Sequence, residues 1–463
     1  MTGGNSIKVK NSSRLGTDPI LPLLFKLSLP GIVAMGVQAF YNVVDSYFVA
    51  QISEEAIAAL SIAFPLHILL IALAVGTGVG TSSLISRMLG KDDNDKAVAV
   101  AEHVIIISII YGALIFLLGL FFPQSFINLF TTDPLISAYA MQYIRVILIG
   151  SLPLFLSFLT SDILRGQGNT FTPMLAMIAG AVTNILLDPI LIFGLGPIPS
   201  LEVLGAAIAT VISKMVTCAI VVYILFKGKN EVQPRFKNKF KFDKSIVKNI
   251  YAVGLPATVM QMLASIMIVG INMIVGGINE LGLAATGIYF RVQSFIFMPV
   301  FGVSQGYIPL VGYNFSNGDI KRVKKTIFYG LAAGFFFTFL GFVAFQLFPH
   351  LIVRPFVDNK ELMTITTTAF KNISIAFPII GPAIIGATTF QAIGRGIPSL
   401  TLSFLRQIVL LLPIAYLLSF TGSISAVWYA FPISEFLTSI LMVTWLTTTL
   451  KKEFAHIRAK VKQ

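Results

Sequence analysis

Residues 29–60 read LPGIVAMGVQAFYNVVDSYFVAQISEEAIAAL, and residues 255–286 read LPATVMQMLASIMIVGINMIVGGINELGLAAT. The two stretches align without a gap at an offset of 226 residues, with the Leu-Pro pair, an Ala-Ala pair and one acid (Glu54 and Glu280) in common. Two polar turns, RGQGNTFTP at 165–173 and QAIGRGIPS at 391–399, follow at the same offset. The repeat predicts a chain built from two similar halves.

The composition of the 463 residues is that of a membrane protein. Hydrophobic residues make up 56% of the chain and charged residues 11%, with a mean hydropathy of +0.86. Soluble domains carry roughly 45 to 50% apolar and about 25% charged residues, so too few charges are present here to cover a water-facing surface. A single cysteine, Cys218, excludes a disulfide scaffold. We therefore expect the lipid bilayer as the main surrounding of this chain.

A membrane helix needs about 20 largely apolar residues, and twelve such spans are predicted, which makes the fold class an all-α polytopic membrane protein. They lie near 23–50, 58–84, 98–122, 135–160, 172–194, 203–226, 250–277, 283–311, 326–348, 365–391, 399–420 and 426–449. The longest polar segment, 227–249, is rich in Lys and Arg and separates two groups of six spans. We predict an amino-terminal lobe at 1–226, a basic linker at 227–249, a carboxy-terminal lobe at 250–450 and a tail at 451–463.

The basic residues predict the orientation. Lys and Arg near span ends stay on the cytoplasmic side. They collect in the first 14 residues, around Arg87 and Arg165, in the linker, at 321–325 and in the tail. The loops at 119–134, 194–202 and 421–425 carry none, and only the loop at 354–360 departs from this pattern. Both termini are therefore expected in the cytoplasm, without a cleaved signal peptide. The net charge of +13 follows this pattern, so no nucleic-acid partner is expected.

An ionisable side chain at mid-membrane costs at least ~2.5 to 3.5 kcal/mol, so it faces a cavity or a partner. Asp45 is the first such residue. It shares one face of the first predicted helix with Gln38, Tyr41 and Asn42, within about 100 degrees of arc. We predict that this polar stripe lines a binding site.

The second intramembrane acid lies in TNILLDPILIFG. Asn184 and Asp188 are four residues apart and share a helix face, with Pro189 directly after the acid. In the second repeat, Asp45 becomes Ile271, and RQIVLLLP (406–413), the counterpart of TNILLDP, has no acid. Because the second half keeps the Leu-Pro but not the acids, packing alone does not require them. The alternative is a structural role, such as pairing with Arg145 or Lys214.

Other features carry weaker signals. Arg291 and Lys371 are long side chains that can extend to the membrane interface. The four histidines have no metal-ligand spacing, so no metal site is expected from them. Gly76, Gly78 and Gly80 lack the GK[ST] of a phosphate loop and are better explained by close helix packing. Hydrolase, zinc-protease and Walker motifs are absent, so neither an enzyme nor an ATP-driven pump is indicated.

Several features of the chain resemble the multidrug and toxic compound extrusion family, and together they cover essentially the whole chain. They are the duplicated plan, RGQGNTFTPM, TNILLDPILIFGLG with GAAIAT at 205–210, and LPGIVAMGVQAFYNVVDSYFVAQI. The resemblance implies export of organic cations or amphipathic drugs by proton or sodium antiport. The resemblance is greatest to the branch with an acidic site in the amino-terminal lobe. The residues that match the polar cluster of that branch are Tyr41, Asp45, Asn184 and Asp188, together with Ser161 and Thr210. In the other branch an acid occurs early in the seventh span, where this chain has Met260, Gln261 and Met262.

We therefore predict a secondary exporter of the cell membrane. Asp45, Asp188, Asn184 and Tyr41 are expected to handle the coupling ion, and Gln38, Asn42, Ser161 and Thr210 the drug-like substrate. No cofactor is expected beyond H+ or Na+, with Na+ at the two acids the only metal considered, and the protein is expected to be a monomer. The alternatives are a lipid-linked oligosaccharide flippase, for which a basic cavity would be evidence, and, more remotely, a membrane-embedded enzyme.

The orientation can be tested with single cysteines in a chain whose Cys218 has been replaced. A membrane-impermeant thiol reagent should reach Ser423→Cys from outside the cell, and Lys237→Cys only after the membrane is opened. Labelling of both positions from outside would show that the orientation derived from Lys and Arg is wrong.

Overall fold

The computed structural model describes residues 12–236 and 240–461, and the described part is built of helices with no strand. Lys237, chosen above for labelling, lies outside the described residues. Twelve spans follow one another, as predicted from hydropathy. The amino-terminal six are α1 (Ile20–Ala50), α2 (Glu54–Gly90), α3 (Asn94–Phe121), α4 (Pro134–Ile149 and Ser151–Gly166), α5 (Phe171–Phe193) and α6 (Glu202–Lys227). The carboxy-terminal six are α7 (Lys244–Gly276), α8 (Glu280–Ser316), α9 (Ile320–Leu347), α10 (Lys360–Ser374 and Phe377–Ala392), α11 (Gly396–Ser419) and α12 (Ala430–Val461).

Short helices connect some of these spans in the described residues; they are Ser13–Thr17, Pro123–Ile127, Pro349–Val353 and Ile424–Trp428. The linker is shorter than predicted, because α7 begins at Lys244 rather than near 250. Asp243 causes the early start: its carboxylate accepts a hydrogen bond from the backbone N–H of Ser245 at 2.7 Å and caps the helix. The polar first turns of α7 therefore extend beyond the apolar run that hydropathy detects.

The two halves have helix bends and glycine turns at equivalent positions. α4 bends by 48° at Gly150, and α10 bends by 53° at Ile375 and Ala376, one repeat offset later. The turns that follow contain Gly168 and Gly394, also 226 residues apart, and both have φ of +87°, a left-handed conformation that favours glycine. The internal repeat is therefore a repeat of structure, and because each half has six spans, both halves run in the same direction.

Helix starts repeat as well. Three side chains in the first half cap the amino termini of α2, α3 and α4, and three at the repeat offset cap α8, α9 and α10. The pairs are Ser53 with Asn279, Asp93 with Asp319, and Asp133 with Asn359. Each side-chain oxygen accepts a backbone N–H of the first helical turn, which would otherwise lack a partner. The same kind of side-chain cap thus begins equivalent helices in both lobes.

The lobes meet where α1 packs on α8 and α2 packs on α7. Glycines make these contacts close: a Cβ atom added to Gly31 would lie 2.6 Å from the carbonyl oxygen of Gly302, and one added to Gly76 would lie 2.7 Å from that of Gly254. Such backbone contact requires residues without side chains. Gly31 is in the first half of α1 and Gly76 in the second half of α2, so both contacts belong to the end of the bundle where the termini lie.

The apolar clusters differ between the two ends of the bundle. Near the termini, one cluster joins α1 to α8, with Leu23 and Leu27 packed among Val303 and Tyr307. At the other end the described residues form two separate clusters, one within each lobe. The lobes therefore share an apolar cluster at the end that carries the termini, whereas the clusters at the other end stay within their own lobes.

The glycine contact can be tested within α1. Gly31→Ala should lower the thermal unfolding midpoint and impair export, because overpacking a close contact costs about 1 to 3 kcal/mol. Gly36→Ala is the control, since a Cβ atom added to Gly36 meets no atom within 4 Å. Equal effects of the two substitutions, in thermal unfolding and transport assays, would contradict a lobe contact that depends on Gly31.

Candidate functional site

The two intramembrane acids of the amino-terminal lobe come together. α1 packs against α5, which brings the carboxyl group of Asp45 beside that of Asp188 so that the two side chains interact directly. Asp188 is fully buried, and Asp45 is partly buried by the surrounding helices. The structure thus joins the two acids that the sequence places 143 positions apart.

Asn184 completes this group from one turn earlier on α5. Its Nδ2 donates a hydrogen bond of 3.1 Å to Asp188 Oδ1, as the spacing of four residues predicts. Three buried oxygens, Asp45 Oδ1, Asn184 Oδ1 and Asp188 Oδ2, have no hydrogen-bond partner among the described residues. Buried polar atoms are rarely left unpaired, since each costs about 1 to 3 kcal/mol. We call Asp45, Asn184 and Asp188 the acid site.

Two tyrosines lie beside the acid site. Tyr41 comes from α1, as predicted, and is 7% exposed. Tyr143 comes from α4 and lies within electrostatic range of Asp45, Asp188 and Tyr41. The sequence analysis missed Tyr143. Its hydroxyl within an apolar span was the available signal, and only the fold brings it to the acids.

Lys214 of α6 is the nearest positive charge. It interacts electrostatically with Asp45, and its Nζ lies 5.3 Å from the centre of the Tyr41 ring, a cation–π distance. No ion pair within 4.0 Å in the described residues includes Asp45 or Asp188. Arg145, the other suggested partner, is exposed. Simple pairing of the acids with a base is therefore not what the geometry shows.

A small pocket, partly open to the exterior, lies beside Tyr41 and Lys214. α1, α4, α5 and α6 line it, and the lining includes Gln38, Tyr41, Ser161, Lys214 and Thr217. Of the four residues predicted for substrate, Gln38 and Ser161 are in this lining. Asn42 is exposed and accepts a hydrogen bond of 3.2 Å from Gln38 Nε2, and Thr210 is buried on α6 outside the lining.

One residue of the pocket lining, Arg165, belongs to a buried ion pair that the sequence analysis missed. Arg165 donates from Nη1 to Asp162 Oδ1 at 2.9 Å, and both side chains are nearly buried. The other oxygen of Asp162 packs against Gly78 of α2. This explains the three glycines: Gly76 and Gly80 share the face toward α7, and Gly78 on the opposite face leaves room for the carboxylate. Arg165 thus belongs to the pocket rather than only to the cytoplasmic turn.

The remaining polar candidates do not form a further metal centre. Within residues 12–236 and 240–461, no group of three His, Cys, Asp or Glu side chains could hold a metal ion. His350 and His456 are exposed, whereas His103 is buried and its Nε2 accepts a hydrogen bond from the backbone N–H of Asp243 at 2.8 Å. Arg291 and Lys371 are exposed, in keeping with long side chains at an interface.

Comparison with known proteins identifies the family. The MatE family model matches this chain twice, over residues 30–190 and 256–417, which are one copy in each lobe. The chain belongs to the MatE family, the multidrug and toxic compound extrusion transporters, and is therefore a membrane transporter and not an enzyme. The assignment to the branch with an acidic amino-terminal site stays a prediction.

Relatives over almost the full length are transporters. An FAD transporter of Shewanella oneidensis is 27% identical over 440 residues, covering 93% of this chain and 95% of the relative. The multidrug export protein MepA of Staphylococcus aureus is 25% identical over 426 residues, covering 91% of this chain and 92% of the relative. The chain is thus similar both to a multidrug exporter and to a carrier named for an anionic dinucleotide.

Solved structures agree with the fold. The outward-facing conformation of a multidrug resistance MATE family transporter has a TM-score of 0.90 at 28% identity, covering 96% of this chain and 98% of that one. A transporter of the MOP superfamily from Pyrococcus furiosus, described as having a binding pocket of reverse polarity, has a TM-score of 0.88 at 28% identity, with the same coverage. Two lobes of six helices are therefore the architecture of this chain.

Proposed function

We propose that this chain is an antiporter that exports organic cations or amphipathic drug-like molecules in exchange for protons or sodium ions, as a monomer. The similarity to the multidrug export protein MepA supports the substrate class. The observation that carries the antiport is the acid site, where three buried oxygens lack a partner. Oxygen ligands of this kind suit Na+ or a shared proton, and either would remove the repulsion between the two carboxylates.

Two arrangements of the lobes are needed for transport. With the termini in the cytoplasm, as the basic residues predict, the end at which the apolar clusters stay within their own lobes faces outward. One charge moved across 100 mV supplies about 2.3 kcal/mol, which is enough to bias two arrangements that differ by a few kcal/mol.

A second substrate class has specific support. Lys214 lines the pocket without an ion pair in the described residues and lies over the Tyr41 ring. An aromatic ring beside an ammonium group suits a planar molecule that carries a phosphate or carboxylate. The similarity to an FAD transporter also supports a planar, anionic substrate. The second candidate is therefore export of flavin nucleotides or similar anions.

The flippase alternative has less support from the same pocket. A carrier of lipid-linked oligosaccharide phosphates would be expected to have a cavity lined mainly by bases. Here Lys214 and the paired Arg165 are the bases of the lining, and the acid Asp45 interacts electrostatically with Lys214. The mixed charge favours antiport of small amphipathic molecules.

The first experiment removes the acids singly and together. Asp45→Asn and Asp188→Asn should each abolish most gradient-driven efflux of a fluorescent cation from loaded vesicles, while the protein still reaches the membrane. The double variant should lose no more than the worse single variant, because the two groups act as one unit. Ile271→Val, at the repeat position of Asp45, is the control and should transport normally. Additive losses, or normal coupling in Asp188→Asn, would rule out a shared site.

The second experiment separates the substrate classes at Lys214. Lys214→Gln should reduce transport of FAD about tenfold, the effect of one charge-assisted contact of roughly 1.4 kcal/mol, and leave efflux of a cationic dye unchanged or faster. Lys227→Gln, an exposed lysine at the end of the same helix, is the control. If the unmodified protein carries the dye but not FAD, the second candidate is wrong and the first stands.

A further inference from the structure

A short segment before α1 binds both lobes at the end of the bundle that carries the termini. It comprises residues 12–18, which are the helix Ser13–Thr17 and one residue on either side, and we call it the latch. Its central residue, Leu15, is 1% exposed and belongs to the apolar cluster that joins α1 to α8. A helix of this length is not stable alone, so contacts with the lobes must hold it in place.

The carboxy-terminal lobe holds the latch by its carbonyl groups. The carbonyl of Leu15 accepts hydrogen bonds from Asn314 Nδ2 of α8 at 2.8 Å and from Arg322 Nη2 of α9 at 3.0 Å. Arg322 Nη2 also donates to the carbonyl of Asp18 at 2.8 Å, and its Nε donates to Asn314 Oδ1 at 2.9 Å. Carbonyl groups at the end of a helix lack partners within the helix, which makes an arginine favourable there.

The internal repeat shows that the architecture does not require these donors. The counterparts of Asn314 and Arg322 in the amino-terminal lobe are Met88 and Lys96. Lys96 is exposed, and it pairs with Asp93 before its own helix at 3.3 Å. The two donors that bind the latch are therefore an addition in one lobe and not a part of the shared backbone arrangement.

The amino-terminal side holds the latch through fewer contacts. The backbone N–H of Ser12 donates a hydrogen bond of 3.1 Å to Glu231 Oε2 of the linker. The side chain of Leu15 lies against Gly168 in the turn after α4, where an added Cβ atom would be 3.4 Å from Leu15 Cδ2. Within the part of the chain that the structure describes, the latch thus has more hydrogen bonds to the carboxy-terminal lobe than to the amino-terminal side.

Glu231 belongs to the amino-terminal side because the linker is bound there. The backbone N–H groups of Glu231 and Val232 both donate to Gln167 Oε1, in the turn after α4, at 3.0 Å. Further along, those of residues 235–236 donate to Glu102 Oε1 of α3 at 3.0 Å. The linker and this turn are therefore one unit, and the latch lies between that unit and the ends of α8 and α9.

We propose that the latch holds the two lobes together at this end and that transport requires its release. Ser12 parts from Glu231 and Leu15 leaves the turn at Gly168, while the hydrogen bonds to α8 and α9 persist. One hydrogen bond and one apolar contact can be broken without unfolding a lobe, and their loss shifts the populations of the two arrangements. The inference rests on the two lobe arrangements of the proposed transport and not on the substrate or the ion.

The first experiment prevents the release. In a full-length chain with Cys218→Ser, the pair Ser12→Cys and Glu231→Cys is joined by a short thiol reagent that contains a disulfide, and the joined fraction is measured by mass spectrometry. Joining should lower gradient-driven efflux of a fluorescent cation from vesicles about tenfold, because the arrangement with this end open is no longer populated. A reductant should restore the efflux.

The matched control joins Glu231→Cys to Gln167→Cys instead. Both of these residues lie on the amino-terminal side of the latch, so this bridge should not alter efflux. Unchanged efflux in the protein joined at Ser12→Cys would overturn the proposal, because the latch would then be a permanent anchor. If the unjoined chain carries no cation, the antiport proposal fails, and the latch is decided by the second experiment.

The second experiment needs no substrate. Ser83 of α2 is buried between the lobes, and its Oγ donates to the carbonyls of Gln391 and Ala392 of α10 at 2.6 and 3.2 Å. The rate at which a thiol reagent modifies Ser83→Cys in the purified protein with Cys218→Ser reports how often this end opens. Leu15→Ala and Arg322→Gln should each raise that rate about tenfold, because each removes one attachment of the latch.

Two exposed residues provide the controls. Arg14→Ala changes only the surface of the latch, and Lys96→Gln changes the repeat position of Arg322; neither should alter the rate. Ser108→Cys, buried on α3 within the amino-terminal lobe, reports unfolding in the same variants and should stay unmodified. Equal rates in all variants, or equal increases at Ser83→Cys and Ser108→Cys, would overturn the proposal and leave residues 12–18 as a structural element.

Discussion

Direct backbone contact between the lobes, at Gly31 with Gly302 and Gly76 with Gly254, is the constraint on which the architecture depends. A bilayer provides no hydrophobic force between helices, so close packing of small residues has to hold the lobes together. These contacts are confined to one end, and the apolar clusters at the other end stay within their own lobes. Such a limited interface can be opened without unfolding either lobe, which is what a transporter with two arrangements requires.

The lobes have the same backbone arrangement but different polar side chains in their interiors. Caps, bends and glycine turns recur at one offset, because they satisfy backbone groups that every copy of the fold must satisfy. The intramembrane charges do not recur. The acid Asp188 lies on α5 with Lys214 on α6, whereas Arg406 lies on α11 with Glu435 on α12. The backbone arrangement is therefore common to both lobes, whereas the polar interior differs between them.

The spans, the repeat and the pairing of Asp45 with Asp188 could be predicted from the sequence, because membrane insertion depends on local hydropathy and penalises isolated acids. Tyr143 could not, since tyrosine is ordinary in an apolar span and its place beside the acids depends on how α4 packs against α2 and α6. Glu435 was missed for another reason. It lies near the start of a span, where a glutamate is expected to reach the interface, and only the packing of α10 and α11 on α12 shows it to be buried. The early start of α7 depends on the Asp243 cap and not on hydropathy.

In the antiport proposed above, charge balance at the acid site would connect the ion to the substrate. Asp45, Asp188 and Lys214 sum to a net charge of −1 when both acids are ionised. One monovalent cation restores neutrality, and because uncompensated buried charge is costly, a proton, a sodium ion or an organic cation each permits the lobe to close around the site. Under this proposal the ion and a cationic substrate would satisfy the same requirement and exclude one another, which would be the basis of antiport. An anionic substrate needs more, because Lys214 is free to bind it only after both carboxylates have been neutralised. In the proposed antiport, the charge of the substrate would thus set the number of ions exchanged, through the three side chains that the fold brings together.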